Sequence, residues 1–150
     1  VDDLLDLGVG TITVLDLSAA SLQVARARLG PRAERVAWLT GDASQNALPE
    51  AGFTHWHDRA VMHFLTDEQD VRAYAAQATR AVAPGGHAVI GGFAPDGPER
   101  CSGLPVARRS AEDIAAALGP AFQLVTAAAE AHVTPGGDAQ SFAYALLRRA

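Results

Sequence analysis

Lysine is absent from the 150 residues, and all 12 basic side chains are arginine. That excludes a phosphate-loop lysine, a Schiff-base lysine and a kinase-type strand lysine within this chain. Cys101 is the only cysteine, so neither an internal disulfide nor a thiolate zinc cage can form. No apolar run approaches the ~18 residues of a membrane span. The acidic start Val1-Asp2-Asp3 does not read as a signal peptide. Clustered positive charge is missing too. The 12 basic residues face 17 acidic ones, a net charge of −5, which argues against a nucleic-acid or anionic-membrane partner. Apolar residues, in contrast, make up 49% of the chain against 19% charged, enough to build a buried core. The expectation is one soluble, cytoplasmic α/β domain over residues 1–150.

Residues 11–17 form a β-branched, apolar run that reads as a buried parallel strand. Ser18 follows as an N-cap for a helix over 19–29, with Leu22, Ala25 and Leu29 on one face and Gly30-Pro31 as its stop. A strand over 35–40 precedes Gly41-Asp42, and another over 53–58 precedes a polar turn. Helical spacing of Val71, Tyr74, Ala75, Ala78 and Val82 predicts a helix over 68–82, ended by Pro84-Gly85-Gly86. A strand over 87–93 and a Pro- and Gly-rich loop over 94–109 come next. Ser110 caps a helix running to residue 118, which Gly119-Pro120 breaks. Strands over 122–128 and 140–147 flank the turn Thr134-Pro135-Gly136-Gly137. This order predicts a doubly wound, Rossmann-like α/β fold, mostly parallel, with an antiparallel pair at its C-terminal edge.

A strand ending in Asp16, a strand followed by Gly41-Asp42, then Trp56-His57-Asp58-Arg59 and Pro84-Gly85-Gly86 before a strand resemble the class I S-adenosylmethionine-dependent methyltransferases. The string Trp-His-Asp-Arg-Ala-Val-x-His-Phe-Leu, with the later Phe-Ala-Pro-Asp-Gly-Pro-Glu-Arg-Cys-Ser-Gly-Leu-Pro, is similar to bacterial small-molecule members. The resemblance covers essentially the whole chain. It implies S-adenosylmethionine as cofactor and a small-molecule methyl acceptor. It also implies that Asp16, with Leu17 beside it, holds the ribose hydroxyls. Asp42 would accept from the adenine amino group and the Ala43 amide would meet the ring nitrogen, while Asp58 and Arg59 complete the cofactor-binding set. Asp16 and Asp42 also have a plainer reading as strand-end turn residues.

The family's first strand ends in a glycine loop, which Leu4-Leu5-Asp6-Leu7-Gly8-Val9-Gly10 imitates. Spacing defeats the match. A strand ending at Gly10 leaves nothing before the strand at 11, whereas a parallel crossover needs a dozen or more residues. Residues 1–7 are therefore expected to be the last turns of a helix with Gly8 as its stop, and the family's first strand to be absent. The resemblance then implies weak or no binding of S-adenosylhomocysteine by this chain, possible inactivity, and a sheet edge open to self-association. Thr54, where relatives tend to carry an acid, is a second departure.

His55, His57, Asp58 and His63 lie within nine residues. Imidazole and carboxylate suit zinc or iron, so a metal hydrolase is one reading, although Asp58 adjacent to His57 departs from the hydrolase spacing. No metal is expected. The alternative places His57, Asp58 and His63 as the catalytic set, with His57 or His63 as the base for a hydroxyl or amine acceptor. A non-catalytic nucleotide-binding or interaction module is a further reading. Cys101 has no evident base beside it, Arg108 and Arg109 read as solvated surface, and His132 reads as exposed or structural.

Overall fold

The structure, a computed structural model, describes residues 1–134 and 136–150. Pro135 of the expected 134–137 turn lies outside the described residues. The chain divides into two compact units, Val1–Asn46 and Ala47–Ala150.

The first unit begins with α1 (Asp2–Asp6), which ends as the spacing argument requires. Gly8 takes φ +77°, its N–H donates to the Leu5 carbonyl, and the Val9 N–H donates to the Leu4 carbonyl. That is a Schellman stop, with glycine where a side chain would be strained. Leu4 and Leu5 are thus helical, and Gly8-Val9-Gly10 closes a helix instead of following a strand. Strand β1 (Ile12–Asp16) leads to α2 (Ala19–Leu29), whose first turn is capped by the Ser18 hydroxyl accepting from the Ser21 N–H at 3.1 Å. A 3₁₀ segment, Gly30–Arg35, brings the chain to β2 (Val36–Thr40), parallel to β1 with Asp16 opposite Thr40. Leu5, Ile12, Leu29 and Val36 form the core of this unit. Burying side chains of this size contributes about 1.5–3 kcal/mol each.

The second unit is a four-stranded sheet in the order β3 (Phe53–Arg59), β4 (Val82–Phe93), β8 (Ala139–Arg149), β7 (Phe122–Val133). β3 and β4 run parallel; β8 is antiparallel to both β4 and β7. A mostly parallel sheet is therefore met only in part. Among the described residues two of the four pairings between the longer strands are parallel and two antiparallel. The fold is nonetheless α/β with an antiparallel pair at the C-terminal edge.

β4 is also longer than its sequence suggests. It starts at Val82, directly after α3 (Glu68–Ala81), and absorbs Pro84-Gly85-Gly86 as an irregularity in its register with β3. The 94–109 loop carries a small hairpin, β5 (Arg100–Cys101) and β6 (Leu104–Pro105). Helix α4 (Ala111–Leu118) opens with a capping box between Ser110 and Asp113.

α3 and α4 pack on each other and on β4, β7 and β8. Alternation along the strands shows which face they cover. Ala88, Ile90, Ala145 and Leu147 are fully buried, whereas His87, Val89, Tyr144 and Leu146 between them keep partial exposure. The sheet thus has a closed face and an open one. No helix among the described residues is long and apolar enough to cross a membrane.

Candidate functional site

At the carboxyl ends of β1 and β2 the Gly41 N–H donates to the Asp16 carbonyl at 3.0 Å, so Asp16 and the Gly41-Asp42 turn lie side by side. Asp16 is exposed, and its Oδ1 accepts from the Ser18 N–H at 2.7 Å, leaving Oδ2 without a partner among the described residues. Leu17 is exposed beside it. Asp42 Oδ1 accepts from the Ser44 N–H (2.7 Å) and hydroxyl (2.6 Å), again leaving Oδ2. The Ala43 amide makes no hydrogen bond among the described residues. Both acids do serve as turn residues, yet each retains an acceptor, and a free donor lies between the second acid and its turn. Acceptor, acceptor, donor is the set that a ribose diol, an adenine amino group and a ring nitrogen require.

The second group of candidates sits on β3, where alternation separates them. Asp58 points to the helix side and is buried; His55, His57 and Arg59 are exposed. Asp58 Oδ1 accepts from the Val61 N–H at 2.8 Å. Its Oδ2 accepts from the Met62 N–H at 3.0 Å and the Tyr74 hydroxyl at 2.6 Å, and that hydroxyl in turn accepts from Trp56 Nε1 at 2.9 Å. Burial pushes the Asp58 carboxyl up from its ordinary value, against the pull of these hydrogen bonds. Asp58 therefore has no free face for a ligand. Its carboxylate fastens the turn after β3, where Ala60 is held at φ +67°, a left-handed conformation that a non-glycine residue adopts at a cost.

His63 occupies the 3₁₀ turn Met62–Phe64 and is buried. Its ring packs edge-on against Phe64 and Phe93, at centroid separations of 4.4 and 5.0 Å. Neither ring nitrogen has a partner among the described residues. Desolvation, helped by the Arg109 guanidinium, holds its pKa at about 4. The cavity it shares with Gly92, Phe93 and Arg109 is about 10 Å³, the size of one water molecule and far below that of a methyl acceptor. As a base facing substrate, His63 is corrected on both access and basicity. His57 alone of the three expected catalytic residues is exposed.

The residues of the metal reading are separated by the same alternation. Among the described residues no three of His, Cys, Asp and Glu come together as a metal site. Asp58 lies on the opposite face from His55 and His57, and His55 instead stacks on His87 across the sheet at 6.0 Å. Arg109 is not solvated surface either: it donates to the Met62 and Leu65 carbonyls at 3.2 and 2.9 Å.

Sequence reasoning missed the partners of Arg59. Arg59 Nε donates to the Tyr144 hydroxyl at 2.9 Å, Tyr144 donates to Glu130 at 2.9 Å, and the guanidinium lies 4.9 Å over the Phe142 ring. Arg59, Gly91 and Tyr144 are consecutive across β3, β4 and β8. A Cβ on Gly91 would come within 2.3 Å of the Tyr144 ring, so this glycine is what lets the phenol cross β4. Glycines inside a strand were the available signal, because they mark close approach of another group.

Comparison with known proteins agrees with the fold. Residues 2–86 match the family model described as a methyltransferase domain. A structure concerned with conversion of a disulfide bond into a thioacetal group during echinomycin biosynthesis superposes with TM-score 0.76 at 22% identity, over 99% of this chain and 70% of that one. The 1,6-didemethyltoxoflavin-N1-methyltransferase of Burkholderia thailandensis, bound to S-adenosylhomocysteine, gives 0.75 at 21% identity over 99% and 65%. The N-methyltransferase NodS of Bradyrhizobium japonicum, in complex with the same nucleoside, gives 0.72 at 22% over 91% and 65%. No curated protein sequence matches. With its family model matched over more than half its length, this chain belongs to the methyltransferase domain family.

Proposed function

We propose that residues 1–150 act as one S-adenosylmethionine-dependent methyltransferase domain on a small-molecule acceptor, in the cytoplasm. The observation that supports this most is the pair of adjoining strand ends in a methyltransferase-family chain: Asp16 and Asp42 each keep a free carboxylate oxygen and Ala43 a free amide. In this reading Asp16, with Leu17 beside it, takes the ribose hydroxyls. Asp42 takes the adenine amino group, and the Ala43 N–H takes a ring nitrogen. The cofactor supplies an electrophilic methyl on a sulfonium, and in-line transfer from it needs orientation and, for a hydroxyl or amine, a base. His57, exposed at the carboxyl end of β3, receives the acceptor's proton. Asp58 acts as a positioning residue, since the turn it fastens fixes both its neighbours His57 and Arg59. No nucleic-acid or membrane partner belongs to this reading, and self-association would use an edge of the sheet formed by β3 or β7.

The test is an NMR titration of the ¹⁵N-labelled chain with S-adenosylhomocysteine, which reads even millimolar affinity. Saturable shifts of the amides at 16–18 and 41–44 are expected. Asp16→Ala and Asp42→Ala should each weaken binding by about 10- to 100-fold, the worth of one charge-assisted hydrogen bond. Shifts that spare both strand ends would overturn the proposal.

A further inference from the structure

We infer that Arg59 is the acceptor-recognition residue of this domain and that the acceptor is a small carboxylic acid, bound as its carboxylate. The inference rests on the methyltransferase reading above.

The guanidinium is held in place but not used up. Of its five N–H donors only Nε–H is engaged among the described residues, by the Tyr144 hydroxyl at 2.9 Å. That hydroxyl donates its own hydrogen bond to Glu130 at 2.9 Å, which turns a lone pair toward Arg59. Phe142 supports the group from beneath at 4.9 Å. Gly91 leaves the space in which Tyr144 crosses the sheet to reach it. The edge carrying both terminal nitrogens is left with four donors in a planar fork, and that fork matches two carboxylate oxygens. Among the described residues Glu130 is the carboxylate wired into this row, and it binds the phenol rather than the fork.

Position on the strand puts Arg59 on the same side of the sheet as His57. His57 and Arg59 are two residues apart on one face of β3, hence about 6.6 Å along the strand. The guanidinium reaches across β4 to Tyr144 and Phe142 of β8, so a carboxylate held there lies on the face of the sheet that also carries His57.

Benzoate and its neutral isostere benzamide are the probes, titrated into the ¹⁵N-labelled chain while the Arg59 Nε–H and the Phe142 and Tyr144 amides are followed. Benzoate should shift all three saturably and benzamide should not. Arg59→Lys, which keeps the charge and loses the fork, should weaken benzoate by at least about tenfold. Tyr144→Phe should weaken it by a smaller factor, since the fork remains but loses its fixed orientation. Equal shifts from benzamide, no shift from benzoate, or unchanged affinity in Arg59→Lys would each overturn the assignment.

A second arm separates the cofactor's own carboxylate. S-adenosylhomocysteine carries an amino-acid carboxylate and 5′-methylthioadenosine does not. A shift at Arg59 from the first but neither from the second nor from benzoate would give the guanidinium to the cofactor and overturn an acceptor role. Amides 16–18 and 41–44, read in the same spectra, report on the cofactor reading independently. If they stay silent while benzoate moves Arg59, carboxylate recognition stands and the methyltransferase reading falls.

Discussion

Two tyrosines, one on the helix that covers the closed face of the sheet and one on its open face, are wired alike. Tyr74 donates to Asp58 at 2.6 Å and accepts from Trp56 Nε1 at 2.9 Å; Tyr144 donates to Glu130 at 2.9 Å and accepts from Arg59 Nε at 2.9 Å. Each is a phenol between a carboxylate and an N–H. They differ in solvent. Tyr74, on the inner side of α3, is fully buried, while Tyr144 lies on the open face with exposed partners. Where water is excluded, every valence must be met by protein, so the row is structural. Where water is at hand, the fork of Arg59 can stay unspent, and an unspent donor is what a ligand needs.

The difference should be widest at the buried carboxylate. Asp58→Ala strands the Val61 and Met62 amides and the Tyr74 hydroxyl, buried groups that cost about 1–3 kcal/mol each when unpaired. Urea unfolding should show a loss of about 3–5 kcal/mol, allowing for partial relaxation. A loss below about 1 kcal/mol would show that water reaches the closed face and that the two rows are not different in kind.

The next effect is a pH dependence from the same turn. His63 titrates at about 4 in the folded chain, against an ordinary 6.5. Its neutral form is thus favoured by folding, and that stability is complete above pH 6.5 and lost as pH falls toward 4. The whole difference is roughly 3–4 kcal/mol, of which about 2–3 kcal/mol is lost between pH 7 and 4.5. Asp58 works in the opposite direction. Its pKa is raised, first by burial, so protonation favours the folded chain as pH falls from that raised value to the ordinary carboxylate value. Unfolding midpoints at pH 7 and 4.5 should therefore drop in the wild type. In His63→Leu they should stay level or rise; an unchanged drop would place its origin elsewhere.

Much of the fold could be read from the sequence because its signals are local. Ser18, Ser110 and Gly8 act within one helical turn, and the crossover length alone turned residues 4–7 from strand to helix. The position of β8 between β4 and β7 was not legible, because pairing partners are chosen across the whole sheet. Nor was the start of β4 at Val82: Pro84-Gly85-Gly86 signals a break, yet the sheet accommodates it as an irregularity. At the site, side-chain types named the candidates and alternation alone put Asp58 behind the sheet. The burial of His63 depended on Phe93, 30 positions away, and the wiring of Arg59 on Tyr144, 85 positions away. A string of residues around position 58 carries neither.

The two phenols themselves provide the closing pair of measurements. Tyr74→Phe removes a hydroxyl from a site that water does not reach, leaving Asp58 Oδ2 with one donor fewer and the indole N–H with none. It should cost about 1.5–3 kcal/mol, the range for a hydrogen bond to a buried charge. Tyr144→Phe removes the same atom where solvent can replace both partners. Arg59 and Glu130 are exposed and rehydrate, so the expected loss is below about 1 kcal/mol, in line with exposed charged pairs. The ring stays stacked on Phe142 and over Gly91, so packing is equal before and after. The phenol pKa values move upward in both, chiefly through desolvation, but far more for Tyr74, consistent with a dry and a wet copy of one motif. Parallel urea titrations of the two variants at pH 7 isolate the environment, because the deleted atom and its bonding pattern are the same. Equal losses would mean that the open face is as dry as the closed one, leaving Arg59 without the water-accessible edge on which a ligand would dock.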